Sequence, residues 1–229
     1  VETPQQQREE RKRRRKLAIA AAGAALLALE QHALRTTAHV MSAAVDVGLA
    51  LRLTETQTRR LIEQHISSSL AASRERVREA SGEAFEAQTG VDAVEAAAVE
   101  EGEALDLAQA VGERWAEAAG PYRTSARAEV EAVTREERYR AAVEETQPAL
   151  KRTVVTDTYD TWHEEWRRNI DDAVDRDLSV VTEWNAEMDA CPKCWALNGT
   201  IVHDDESFIH GDPPLHFSCR CRLDTHVQQ

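Results

Sequence analysis

Apolar positions recur every three to four residues along most of this chain, so its dominant signal is helical. From about Leu17 to Met41 the pattern predicts one helix, with Leu27, Leu34 and Met41 at heptad spacing. Val47 to Leu53 alternates with a strand-like period, but its helical flanks make it a helix end or a short extended link. Thr54-Glu-Thr-Gln57 is a capping-box pattern. It opens a helix with Ile62, Ile66, Leu70 and Val77 on or near one face. Ser81-Gly82 and Thr89-Gly90 predict breaks. One or two helices then run from about Val91 to Ala119, with the stripe Leu107, Val111 and Trp115, and Gly120-Pro121 ends them. Another starts near Ser125 and turns Ala126, Val130 and Val133 inward. Pro148 interrupts it and fits the first turn of the next. There Leu150, Val154, Thr158, Trp162, Trp166, Ile170 and Val174 fall at i, i+4 spacing, which predicts the longest well-packed helix.

From Leu178 the texture changes. Ser179-Val-Val-Thr-Glu-Trp184 is β-prone. Asn198-Gly199 is the strongest short hairpin signal and would join Trp195–Leu197 to Thr200–Val202. Pro213-Pro214 predicts an extended approach to His216. The expected fold is mainly α: an elongated helical body with a small β-hairpin zinc-binding module at the C-terminus. The expected division is a basic arm over 1–16, a helical region over 17–147, and a C-terminal domain over 148–229 with its metal module at about 184–224.

Composition supports the helical reading. Alanine and glutamate dominate the 229 residues and aromatics are only 5%, so a compact core would be thin and helix seams, a metal and partner subunits would add stability. The net charge is −13, yet Arg8, Arg11, Lys12, Arg13, Arg14, Arg15 and Lys16 form a basic arm, which leaves the rest more acidic still. An acidic body repels nucleic acid. Only the arm would contact DNA or an acidic partner surface. The apolar run Leu17–Leu29 is short for a membrane span. Basic residues before it resemble a secretory signal, but Glu30-Gln31-His32 reads as the same helix continuing. Val1 fits a non-standard start or a processed end equally.

All four cysteines lie in one stretch, as Cys191-Pro-Lys-Cys194 and, after His216, Cys219-Arg-Cys221. The pattern C-x2-C…H-x2-C-x-C offers one ligand more than a closed tetrahedral Zn²⁺ site needs. Cys191 and Cys194 have knuckle spacing, His216 and Cys219 repeat it, and the fourth ligand is either His216 or Cys221. A disulfide, a redox C-x-x-C and inert thiols compete with this reading. The flanks lack the βαβ context of the redox motif, and inert buried cysteines have no reason to cluster. A zinc hydrolase needs an open metal position and a base, whereas this donor set is mostly sulfur and fills the shell. His163-Glu164-Glu165 lacks the second histidine of a zincin, and Ala190 stands where a deaminase motif has proline. The acidic run Asp204-Asp205-Glu206, with Asp212, reads as a solvated loop, with an acidic hydrolase or toxin-like site as the alternative. Lys193, Arg220 and Arg222 are too few for a finger that reads DNA. A DNA-binding adaptor would have to work through the arm. No catalytic residue is assigned.

The run Asp189-Ala-Cys191-Pro-Lys-Cys194-Trp-Ala-Leu197-Asn-Gly199, followed by Pro213-Pro214-Leu-His216-Phe-Ser-Cys219-Arg-Cys221, resembles the Mu gpF-like phage head morphogenesis family. Arg152-Thr153 through Trp166, and then Trp184, resemble its lead-in more weakly, so the likeness covers roughly 148–224. Phe217 departs from the proline that often follows the histidine there. The resemblance implies a minor head (minor capsid) protein at the portal vertex, acting in head assembly and in genome packaging or delivery. It implies a place in the virion and, during assembly, in the bacterial host cytoplasm. It implies portal or capsid proteins as partners, and homo-oligomeric or portal-symmetric copies. On its motif positions Asp189 would support the first knuckle by a hydrogen bond.

Overall fold

The computed structural model describes residues 4–95, 102–120, 134–204, 206–216 and 219–228. Its elements are α1 (Pro4–Ala50), α2 (Glu55–Thr89), α3 (Glu103–Ala119), α4 (Arg135–Asp175), β1 (Ser179–Asn185), α5 (Pro192–Leu197), β2 (Ile201–His203) and β3 (Arg222–Gln228). The protein is mainly helical, with one small antiparallel sheet near the C-terminus in the order β2-β1-β3.

Several local signals act as read. At the start of α2 the Gln57 side chain accepts the Thr54 backbone N–H at 2.9 Å, and the Thr54 hydroxyl accepts the Gln57 N–H at 3.3 Å. Thr134 and Glu137 make the same reciprocal cap at the start of α4, a pattern missed in the sequence. Val47–Ala50 is a helix end. From Pro4 the arm is part of helix α1, and pairs such as Lys12–Glu9 and Arg14–Glu10 stand one turn apart on it. Ser81-Gly82 breaks nothing, because Ser81 is buried and its hydroxyl donates to the Trp162 carbonyl at 3.0 Å. Thr89 does end α2, with Gly90 at φ +74. Pro148 sits inside α4 and does not end a helix there. Burial of Thr146, Ala149 and Leu150 around it holds the helical course against the local cost of proline. At 47 residues α1 is longer than the 41-residue α4, contrary to expectation. The helix expected near Ser125, with Ala126, Val130 and Val133, lies outside the described residues.

The chain forms two compact units: one of Val1–Glu30, Arg74–Ala98 and Val155–Gln229, the other of Gln31–Ser73 and Val99–Val154. The second unit is an alanine-seamed helical core. Ala33, Ala44, Ala104, Ala108 and Ala142 pack among Met41, Ile62, Ile66, Leu70, Val111 and Leu150. Trp115 meets Tyr139 edge to face at 4.9 Å. Gly48 and Gly112 are needed for close approach, since a Cβ at either would lie 2.6 Å from Thr58 Oγ1 or 2.5 Å from Glu63 Cγ.

The first unit is built around α4 and the sheet. Trp162 and Trp166 stack at 6.0 Å, and Phe85 meets Trp166 edge-on at 5.5 Å. The Trp166 indole N–H donates to Thr225 Oγ1 at 2.8 Å, which fixes α4 to β3. Gln88 accepts the Thr225 backbone N–H at 3.2 Å and so covers part of the β3 edge.

Candidate functional site

The sulfur cluster is assembled by two turns that the sheet holds in place. After β1 the chain makes a detour before returning as β2. Asn198 Oδ1 accepts the Ala186 N–H at 2.9 Å and closes the neck of that detour. Inside it Cys191 caps α5 and Pro192 occupies its first turn, where a missing N–H costs nothing. This corrects the expected hairpin. Trp195–Leu197 is helix, and Asn198-Gly199, with Gly199 at φ +76, turns α5 into β2. The hairpin is β1–β2, with Thr182 opposite Val202. On the other side the Cys219 N–H donates to the His216 carbonyl at 3.0 Å, a second tight turn leading into β3. The Pro213–Pro214 peptide before it is cis.

These turns bring together every ligand candidate from the sequence. Cys191, Cys194 and His216 form one group of three, and Cys194, Cys219 and Cys221 another; within each, the ligand atoms lie within 4.8 Å of one another. Cys194 is common to both. Its sulfur lies 3.7 Å from Cys191 Sγ, 3.6 Å from Cys219 Sγ and 3.4 Å from His216 Nε2. Sulfurs bound tetrahedrally at about 2.3 Å stand about 3.8 Å apart, and the Cys194–Cys191 and Cys194–Cys219 separations match that edge. All four cysteines are free of disulfides; Cys194, Cys219 and Cys221 are buried and Cys191 is half-buried. The cluster could hold a metal ion.

The local field lowers the pKa of two of the thiols. Backbone N–H groups of Cys194 and Lys193 donate to the Cys191 sulfur and, with nearby His216, hold its pKa below the usual thiol value. The Cys221 thiol and the N–H groups of Cys221 and Leu215 bring Cys219 down to about 5. Cys221 is held well above the ordinary value by that same bond and by burial. Burial and the neighbouring Cys219 push Cys194 up to about 12.

Three further residues tie this cluster to its surroundings. His163 is buried on α4 and its Nε2 lies 2.8 Å from the Cys221 carbonyl. A carbonyl only accepts, so Nε2 carries the proton. Burial brings the His163 pKa down to about 4 and keeps the ring neutral. Arg220 and Arg222 turn inward. Arg220 donates to both oxygens of Glu30, which is fully buried on α1, at 2.9 and 2.7 Å. Arg222 pairs with Glu187 at 3.2 Å. Neither arginine was read this way in the sequence, though a charged pair flanking Cys221 is an available hint. Asp189 is exposed, with Arg220 Nη1 3.9 Å from its carboxylate.

The acidic loop is occupied with structure. Asp204 takes a left-handed conformation, φ 51, and its carboxylate accepts the Val180 N–H at 2.9 Å. Glu206 accepts the His203 N–H at 3.3 Å, and Asp212 accepts from Arg167 Nε at 2.8 Å. Asp205 lies outside the described residues. Among the described residues only the two cysteine groups bring three potential ligand atoms this close together.

No protein-family model matches this sequence, and neither curated proteins nor solved structures show a match to it.

Proposed function

We propose that this is a structural assembly protein of the minor-head type, whose C-terminal module is stapled by one Zn²⁺. The observation that carries the reading is the convergence of the C-x2-C and H-x2-C-x-C halves on Cys194, whose sulfur has Cys191 Sγ, His216 Nε2 and Cys219 Sγ at 3.7, 3.4 and 3.6 Å. A three-stranded sheet with strands of seven, three and seven residues has little core of its own. An ion joining its two long connections would supply the missing order. A closed, sulfur-rich shell leaves no position for substrate water, which favours assembly over turnover.

The ligands proposed are Cys191, Cys194, His216 and Cys219, because 191–194 and 216–219 are the two matching turns. Cys221 keeps its proton and donates to the Cys219 sulfur. Metal analysis should give one Zn²⁺ per chain. His216→Ala should weaken Zn²⁺ affinity at least about 100-fold, and Cys221→Ser no more than about tenfold. The reverse order would give the fourth position to Cys221. The assembly role is tested by co-expression with portal subunits from the same genome. Zinc-loaded protein should co-purify with them, and elution of folded, loaded protein entirely alone would contradict the role.

A further inference from the structure

We infer that the metal centre latches the N-terminal part of α1, through Arg220 and Arg222, and that losing the ion releases that segment. The inference rests on the metal reading above. Arg220 lies between Cys219 and Cys221, so the same short loop that supplies sulfur also aims its guanidinium. Its target is Glu30, 0% exposed, gripped at both oxygens. Two residues further on, at the start of β3, Arg222 reaches α1 at Gly23. A Cβ there would lie 1.6 Å from Arg222 Nη1, so a larger residue would push the guanidinium aside.

A gap adjoins this pair of contacts. A cavity of about 360 Å³ lies between α1 and the module, lined by Gly23, Ala24, Leu27, Tyr159, Arg220 and Arg222 among others. Leu17 and Leu27 are more than half or half exposed, at 61% and 50%. The segment is thus held by the Glu30–Arg220 ion pair together with a narrow buried stripe, Ala22 and Leu26. A buried carboxylate holds its charge only while its partner stays in register. When the Cys219–Cys221 loop loses its ion and its order, Arg220 leaves Glu30 uncompensated, and the stable response is for α1 to lift Glu30 into water. Residues 1–30 belong to the same compact unit as the module, so both ends of the latch are defined together.

Hydrogen exchange on the full chain tests this. Chelation should raise exchange in residues 17–30 at least about tenfold while α3, in the other unit, stays protected. Zinc-loaded Arg220→Gln should show the same rise over 17–30 with unchanged metal content. That variant keeps the test meaningful even if the chelated chain unfolds throughout. Unchanged exchange over 17–30 in loaded Arg220→Gln would overturn the latch, whatever metal analysis says of the ion. A rise confined to residues 219–223 on chelation would overturn it as well.

Discussion

The two compact units solve the same problem with different means. The unit of Gln31–Ser73 and Val99–Val154 is helix against helix, its seams filled by alanine and short aliphatics and by one tryptophan. The unit holding the sheet concentrates Trp162, Trp166 and Trp184, buried polar bonds and all four cysteines. Small side chains let helices approach closely, and many weak contacts then add up. The sheet unit depends instead on a few large groups and directed bonds. Its stability should therefore be more brittle, and more responsive to pH and metal.

The largest difference should appear on truncating the aromatic centre. Trp166→Ala removes a fully buried ring and its bond to Thr225, and should cost about 3–5 kcal/mol. In urea melts followed separately in each unit, the sheet unit should melt earlier while the helical unit holds its midpoint. Equal loss in both would mean that the division has no energetic content.

Acid should act next, through His163. Its folded pKa is near 4 against an ordinary 6.5, so between these values the unfolded chain binds more protons. Stability is full above pH 6.5 and is lost as pH falls through 4, by about 3 kcal/mol for that shift. His163→Gln should flatten the decline over this window in the sheet unit. A midpoint that rises on acidification in the wild type would reverse the sign and contradict the account.

The smallest effect belongs to the helix ends. Arg52 and Asp177 hold left-handed conformations, φ 53 and 59. The bonds Leu53 N–H to Gly48 O and Leu178 N–H to Ala173 O close the corresponding turns. Arg52→Gly should raise stability by about 0.5–1 kcal/mol in the helical unit and leave the sheet unit unmoved. A loss of stability would show that the Arg52 side chain contributes more than its strain costs.

What was legible in the sequence follows the range of the physics involved. The Thr54–Gln57 cap, the stripe from Leu150 to Ile170 and the strand at Ser179–Trp184 are local patterns, and each formed as read. The cysteine spacing forecast a cluster because its two halves each close a short turn. Pro148 and Ser81-Gly82 misled because burial by distant residues overruled a local preference. Asn198-Gly199 did make a turn, but the helix before it belongs to the knuckle and not to a strand. The Glu30–Arg220 pair spans 190 positions, and no periodicity carries such a contact. His163 was equally hidden, since a histidine within a buried helical stripe has no motif of its own.

The central claim is that a bound ion completes the order of the C-terminal module by joining its two cysteine-bearing connections. Calorimetry of the metal-loaded chain with and without chelator tests it most directly, read together with circular dichroism of the strands. Chelation should remove one unfolding transition and the β signal, leave the helical unit's transition in place, and be reversed by one equivalent of Zn²⁺. An unchanged pair of transitions after complete metal removal would contradict the account.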